Sequence, residues 1–202
     1  MMSLLAAVVQ VIALGTVPVA AVPPPPEQVA ANCEAPTYAS DMLVCADADL
    51  RALDARMREA WAAVDFAGVV APAAWVESQD AWFRRRSLCA FAERHADCLQ
   101  AAYVERIAVL EALRRITLRS PRQGMEVLCP AAPWGHAQVR VRAPESGALA
   151  IEDGAAHVLA AATPANADGT WTPYVGFKVD GSVIQLATLE GSTIVCTLIE
   201  PR

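Results

Sequence analysis

Lysine is almost missing from this chain. Of sixteen basic residues only Lys178 is a lysine, and the rest are arginines. Twenty-two acidic residues outweigh them, leaving a formal net charge of -6. That balance argues against a nucleic-acid partner, which favours a Lys/Arg excess to neutralise phosphates. It suits a basic protein partner through electrostatic steering, and it equally suits ordinary solubility. Histidine is scarce too: His95, His136 and His157 stand in unrelated contexts. The chain has no G-x-S-x-G elbow, H-E-x-x-H pair, P-loop or dinucleotide fingerprint, so no enzyme class declares itself. The adjacent carboxylates Glu152 and Asp153 fall in a hairpin turn, where solvent keeps them ordinary. No pair of cysteines has C-x-x-C spacing and no histidine is placed to complete a zinc site. No cofactor is implied.

A long hydrophobic run is also lacking. Residues 4–14 are apolar apart from Gln10, but Gly15 and Pro18 interrupt them before the roughly 20 residues that a membrane span needs. With Val19-Ala20-Ala21 offering small residues for a signal peptidase, residues 1–21 read as a secretory signal, although no Lys or Arg precedes the apolar run. The first cysteine, Cys33, follows Asn32 rather than a small residue at the cleavage site, so no lipid anchor is expected. Residues 22–32, with Pro23 to Pro26 at their start, read as a stiff extended spacer. The expected location is periplasmic or secreted.

What the chain does have is six cysteines: Cys33, Cys45, Cys89, Cys98, Cys129 and Cys196. An even count in an exported chain implies disulfides, because such compartments are oxidising. Among the four N-terminal cysteines three connectivities are open. Hydrophobic residues make up 55 % of the sequence, enough for a core, although much of that is alanine with little burial to offer.

Two periods divide the chain. Residues 47–118 are helical. Leu50, Leu53, Met57, Ala60 and Trp61 recur at three and four residues, with Asp47 or Asp49 as cap. Gly68 and Pro72 end that helix, a second begins at Trp75 or Val76 and runs to Leu88, and a third carries Leu99, Tyr103, Ile107 and Leu110. A minor helix is expected between Pro36 and Cys45. Residues 119–124 form a linker. Beyond it the period becomes two, clearest at Gln138-Val139-Arg140-Val141-Arg142. Seven strands are expected at 125–129, 138–142, 148–151, 157–161, 174–179, 182–189 and 192–199, separated by turns such as Asp153-Gly154 and Asp180-Gly181. The fold class is therefore α+β: a disulfide-bonded helical bundle at 33–118, then a small antiparallel β-barrel at 125–202. A bridge between Cys129 in the first strand and Cys196 in the last would join the sheet's two edges.

The helical half resembles the LprI family of exported lysozyme inhibitors. The likeness spans residues 33–110. It rests on the Cys33 and Cys45 spacing, Leu50 with Leu53-Asp54, Gln79-x-x-Trp82-x-x-x-Arg86-x-x-Cys89, and Cys98-Leu99-x-x-x-Tyr103-x-x-Arg106-Ile107. Ser87 departs from the Asp that the family often has there. Trp82, Tyr103 and Ile107 are expected in the core, with Gln79, Arg86 and Arg106 satisfying each other, Asp54 or helix ends. The second half is similar to the MliC-type barrel, another periplasmic lysozyme-inhibitor fold. The points of likeness are Cys129 and Cys196, Asp168-Gly169-Thr170-Trp171, and Asp180-Gly181-Ser182. The resemblance implies a partner-binding set of Asp168, Gly169, Trp171, Lys178 and Asp180. Asp168 stands at the family's Ser position and Asp180 at its Lys position. Lys178 lies two residues early, which keeps its strand face and moves the charge about 7 Å. The run Arg84-Arg85-Arg86 reads as a solvated helix face, with Arg85 as a further candidate contact. Trp171 is either an exposed anchor or a barrel plug. The function implied is stoichiometric block of a basic c-type lysozyme, whose two catalytic carboxylates a cationic loop can occupy. The rival reading is a non-inhibitory envelope module that contacts peptidoglycan or an envelope protein.

Overall fold

A computed structural model describes residues 28–72, 74–114, 124–143, 147–164 and 169–199. The expected signal segment, most of the spacer and residues 119–123 of the linker lie outside these, as does Asp168.

Among the described residues four α-helices precede a closed seven-stranded barrel, so the fold is α+β as the two sequence periods require. Helix α1 spans Ala39–Ala46 and α2 spans Ala48–Ala62. Asp47 separates them, its carboxylate accepting from the amides of Asp49 and Leu50 to cap α2. Helix α3 covers Gln79–Ser87, with the Ser78 hydroxyl accepting from the Ala81 amide. Helix α4 covers His95–Leu113, and twelve of its nineteen residues are buried. A surface helix shows one apolar stripe. Helix α4 is covered on two sides, by α2 and by the barrel. The last residues of the expected spacer are tied down rather than free. The Gln79 side-chain amide donates to the Val29 carbonyl at 2.6 Å, and the Ala31 amide donates to Asp54 at 3.0 Å.

The strands are β1 Met125–Leu128, β2 Gln138–Arg142, β3 Leu149–Glu152, β4 Val158–Pro164, β5 Val175–Asp180, β6 Val183–Thr188 and β7 Thr193–Leu198. Neighbours pair antiparallel except β4 and β5, which are parallel and pair Thr163 with Gly176 and Pro164 with Phe177. Strands β6 and β7 alternate as a one-sided sheet should, with Ile184, Leu186, Ile194 and Cys196 inward. Strands β3 and β4 are buried on both faces. Leu149, Ile151 and Leu159 fill the barrel, while Ala148, Ala150, Val158 and Ala161 face the helical core. Their short side chains let α4 lie close against the sheet. Strands β1 and β7 pair Val127 with Leu198 and Leu128 with Thr197, and the Cys129–Cys196 disulfide lies beside them. The other bridges are Cys33–Cys45 and Cys89–Cys98, which selects one of the three open connectivities.

The second helix starts later than its apolar pattern suggests. Between α2 and α3 the chain reaches the barrel at Val70 and Trp75. Val70 donates its amide to the Val158 carbonyl at 3.0 Å, and the Trp75 carbonyl accepts from Ala161 at 3.2 Å. Trp75 is only 3 % exposed, within the barrel core, edge-on to Trp134. The helical half thus supplies both backbone pairing for the β4 edge that β5 leaves open and a side chain for the barrel interior. An unpaired strand edge needs such cover.

Candidate functional site

The seam between the halves holds the most concentrated polar chemistry. Glu105 sits on the barrel-facing side of α4, buried. One carboxylate oxygen accepts from the Trp171 indole at 3.0 Å and the other from the Tyr174 amide at 3.1 Å. Arg85, from α3, clasps Glu77 through two hydrogen bonds of 2.8 and 2.7 Å, reaches Glu105 at 3.3 Å and donates to the Thr172 carbonyl at 2.7 Å. Its guanidinium stacks 4.0 Å from the Trp171 ring centroid, a favourable cation–π geometry. Burial raises the Glu105 carboxyl above its ordinary value, and the Arg85 charge only partly offsets this. Burial pulls Arg85 down, but the Glu77 hydrogen bond and the Glu105 and Glu77 charges outweigh it, so Arg85 is held above its ordinary value. At the C-terminal end of α4, Arg142 from β2 donates to the Ala112 carbonyl at 2.6 Å and pairs with Glu152 at 2.7 Å. A barrel cation there satisfies a free helix carbonyl and complements the helix dipole.

Beside this network a cleft of about 440 Å³ opens between α4 and the barrel, lined by Asp97, Gln100, Glu105, Thr163, Thr170 and Trp171 among others. Its volume is in the range of small-ligand sites. Thr163 Oγ1 is buried there without a hydrogen-bond partner among the described residues.

A second network lies deeper in the bundle and gathers the residues of the helical signature. Arg86 and Asp41 form an ion pair at 2.6 Å with both side chains fully buried. Arg86 also donates to the Tyr103 hydroxyl, which donates to Asp54 at 2.8 Å. Phe83 lies 4.2 Å from the guanidinium. Arg106 donates to Gln79 at 2.8 Å and to the Glu77 carbonyl at 2.9 Å, and its burial pushes it down to about 10. Trp82 and Tyr103 are packed edge to face within the core. These residues therefore build the scaffold.

The three consecutive arginines have three environments rather than one solvated face. Arg84 is exposed and paired with Asp80, Arg85 lies in the seam, and Arg86 is fully buried. Helical geometry turns each by about 100°, so neighbours cannot share an environment where one side of the helix faces the core. The residues anticipated as partner contacts are likewise divided. Arg85 and Trp171 meet. Trp171 is buried against α4, so it is neither the exposed anchor nor the barrel plug. Gly169 is exposed with φ +66°, a left-handed conformation that favours glycine. Lys178 and Asp180 are exposed further along β5, opposite Gln185 and Val183. From Tyr174, bonded to Glu105, to Asp180 the strand extends about 20 Å. Glu105, Glu77 and Trp75 escaped sequence reasoning. For Trp75 a local signal existed, since Ser78 is a good N-cap three residues later. Glu105 had none, because its partners lie 66 and 69 residues away.

Among the described residues no three of His, Cys, Asp and Glu converge in a way that could hold a metal. No helix among them is long and apolar enough to cross a membrane. Three disulfides fit a compartment outside the reducing cytoplasm. Comparison with protein-family models, with curated proteins and with solved structures found no match.

Proposed function

We propose that this protein is an exported, non-catalytic inhibitor that binds a basic c-type lysozyme one to one and so protects peptidoglycan, in the periplasm or outside the cell. The observation that carries the reading is the buried network around Arg86. Polar residues on which the LprI likeness rests are tied together in two buried hydrogen-bonded groups, Asp54 with Tyr103 and Arg86, and Gln79 with Arg106. Such a scaffold accounts for their spacing and suits a rigid binding module. The net charge of -6 adds long-range attraction for a basic enzyme. A binding role also suits the seam. The Glu105 oxygens are engaged by Trp171, Tyr174 and Arg85, leaving little lone-pair capacity for general acid–base work. The experiment is size-exclusion chromatography of the oxidised mature protein with a c-type lysozyme at low salt. A complex of one inhibitor and one enzyme supports the reading, and separate elution at tens of micromolar contradicts it.

One set of observations favours the rival reading, an envelope module that contacts peptidoglycan. Trp171 is buried and Lys178 lies far along β5, so among the described residues no single barrel loop combines them, whereas the 440 Å³ cleft has room for a sugar ring. Sedimentation with purified cell-wall sacculi, in the absence of any lysozyme, distinguishes it.

A further inference from the structure

One stripe of helix α4 borders open space. Asp97, Gln100, Ala101, Val104, Glu105 and Ala108 recur at three and four residues, so they share one face of the helix. Together they form one wall of the 440 Å³ cleft. Val104 is 53 % exposed there, in a helix that is otherwise largely buried. The opposite wall comes from the barrel and includes Thr163, Thr170 and Trp171.

The two walls are fastened to each other before any ligand arrives. Glu105 accepts from the Trp171 indole and from the Tyr174 amide, which holds the barrel wall against α4. Arg85 donates to the Thr172 carbonyl and stacks on the Trp171 ring, which ties the same segment to α3. A preformed cleft needs little ordering when a ligand binds. Strand side chains alternate, so Thr163 lies on the same side of β4 as Ala161, which packs with the helical core. The Thr163 hydroxyl is buried and has no hydrogen-bond partner among the described residues. A buried hydrogen bond left unmade is costly, and a ligand group that reaches this floor relieves the cost.

The lining also selects by charge. The described residues that line the cleft include two carboxylates, Asp97 and Glu105, and no Lys, Arg or His. Arg94 and Arg85 are each bonded to one of those carboxylates. An anionic ligand therefore meets like charge without a counter-ion of its own. The Gln100 amide and the two threonine hydroxyls both donate and accept, and Val104, Ala101 and Pro173 set apolar surface between them. That mixture complements a sugar ring, which carries hydroxyls at its edge and C–H groups on its faces.

We propose that this cleft binds a neutral N-acetylated amino sugar, one or two rings long, and disfavours the same sugar when it carries a carboxylate. The acetamido group supplies an N–H for a carboxylate oxygen and a methyl for the apolar wall. The inference does not rest on the inhibitor reading, and it gives the peptidoglycan reading a site, since a neutral amino sugar of this kind is one of the two sugars of that polymer.

The test titrates the isotope-labelled, oxidised mature protein with N,N′-diacetylchitobiose, with no lysozyme present, and follows the backbone amides by NMR. Shifts should gather on α4 from Asp97 to Ala108 and at Thr163, Thr170 and Trp171. At neutral pH, N-acetylmuramic acid should bind at least about tenfold more weakly than N-acetylglucosamine, from which it differs by a lactyl carboxylate. Gln100→Ala and Val104→Glu, both at exposed positions, should each weaken binding by about fivefold with little change in melting temperature, while Lys178→Ala leaves it unaltered. Thr163→Val should weaken binding without loss of stability, because it removes an unpaired buried hydroxyl. Absence of shifts at tens of millimolar disaccharide, shifts confined to another surface, equal affinity for the acidic sugar, or cleft variants that bind like wild type would each overturn the proposal. None of these outcomes touches the inhibitor reading, which the lysozyme complex decides by itself.

Discussion

Replacing Asp41 by Ala takes the counter-charge from a guanidinium that has no access to water. Asp41 and Arg86 are both fully buried and their contact is 2.6 Å. Stranding one member of such a pair costs about 3–5 kcal/mol. The lower end applies here, because Arg86 keeps its bond to the Tyr103 hydroxyl and, through it, a relay to Asp54. Asp41→Ala also frees the Gln28 side-chain amide, which donates to the other carboxylate oxygen at 2.7 Å. For a chain of this length, about 3 kcal/mol lowers the melting temperature by roughly 6–12 °C. The assay is urea unfolding of the oxidised protein followed by circular dichroism. Arg86→Met in the same background removes the stranded cation and fills a site bounded by Trp82, Phe83 and Tyr103. The double variant should therefore be more stable than Asp41→Ala alone by about 1–2 kcal/mol, a non-additivity expected of contacting groups. A loss under about 1 kcal/mol for Asp41→Ala, or a double variant losing the sum of the two single losses, refutes the argument.

Other expectations follow from the seam, the barrel and the bridges. Trp171→Ala should destabilise the protein by about 3–5 kcal/mol, as a buried Trp does, measured by chemical denaturation; a neutral effect would remove Trp171 from the seam. Losing the Cys129–Cys196 bridge, with 67 residues of separation, should cost about 4.4 kcal/mol, and losing Cys89–Cys98, with 9, about 2.6 kcal/mol, on the chain-entropy account. Paired Cys→Ser variants compared in denaturant check that order, and equal losses would contradict it. Glu105 is held above its ordinary value of 4.5, so folding favours its neutral form. Its contribution is fully present below about 4.5 and is lost as pH rises through the folded value. The melting-temperature difference between wild type and Glu105→Gln should therefore shift against wild type as pH rises from 4.5, then level off. A difference independent of pH would mean that Glu105 is not desolvated.

The barrel was legible because its strands alternate and its turns carry glycine; each of the seven strands lies within a few residues of its expected place. The bundle was legible from Leu50, Met57, Leu99 and Ile107. What stayed hidden depends on long-range contacts. The apolar pair Trp75-Val76 looks like the start of α3, yet Trp75 is held in the barrel core and the helix waits for the Ser78 cap. Trp171 carries no local mark that separates a surface anchor from a residue pinned on Glu105. The arginine run reads as uniformly solvated until the packing of α3 assigns each position a different neighbour. The cysteine count implied bridges, but only spatial proximity selects their pairing.

The measurement that bears most directly on the account is a titration of c-type lysozyme with the purified, oxidised mature protein, following the turbidity of a cell-wall suspension. The account predicts a dose-dependent loss of lysis that saturates near one inhibitor per enzyme and weakens as salt screens the attraction. Undiminished lysis at a large molar excess would contradict it and move the protein to the peptidoglycan-binding reading.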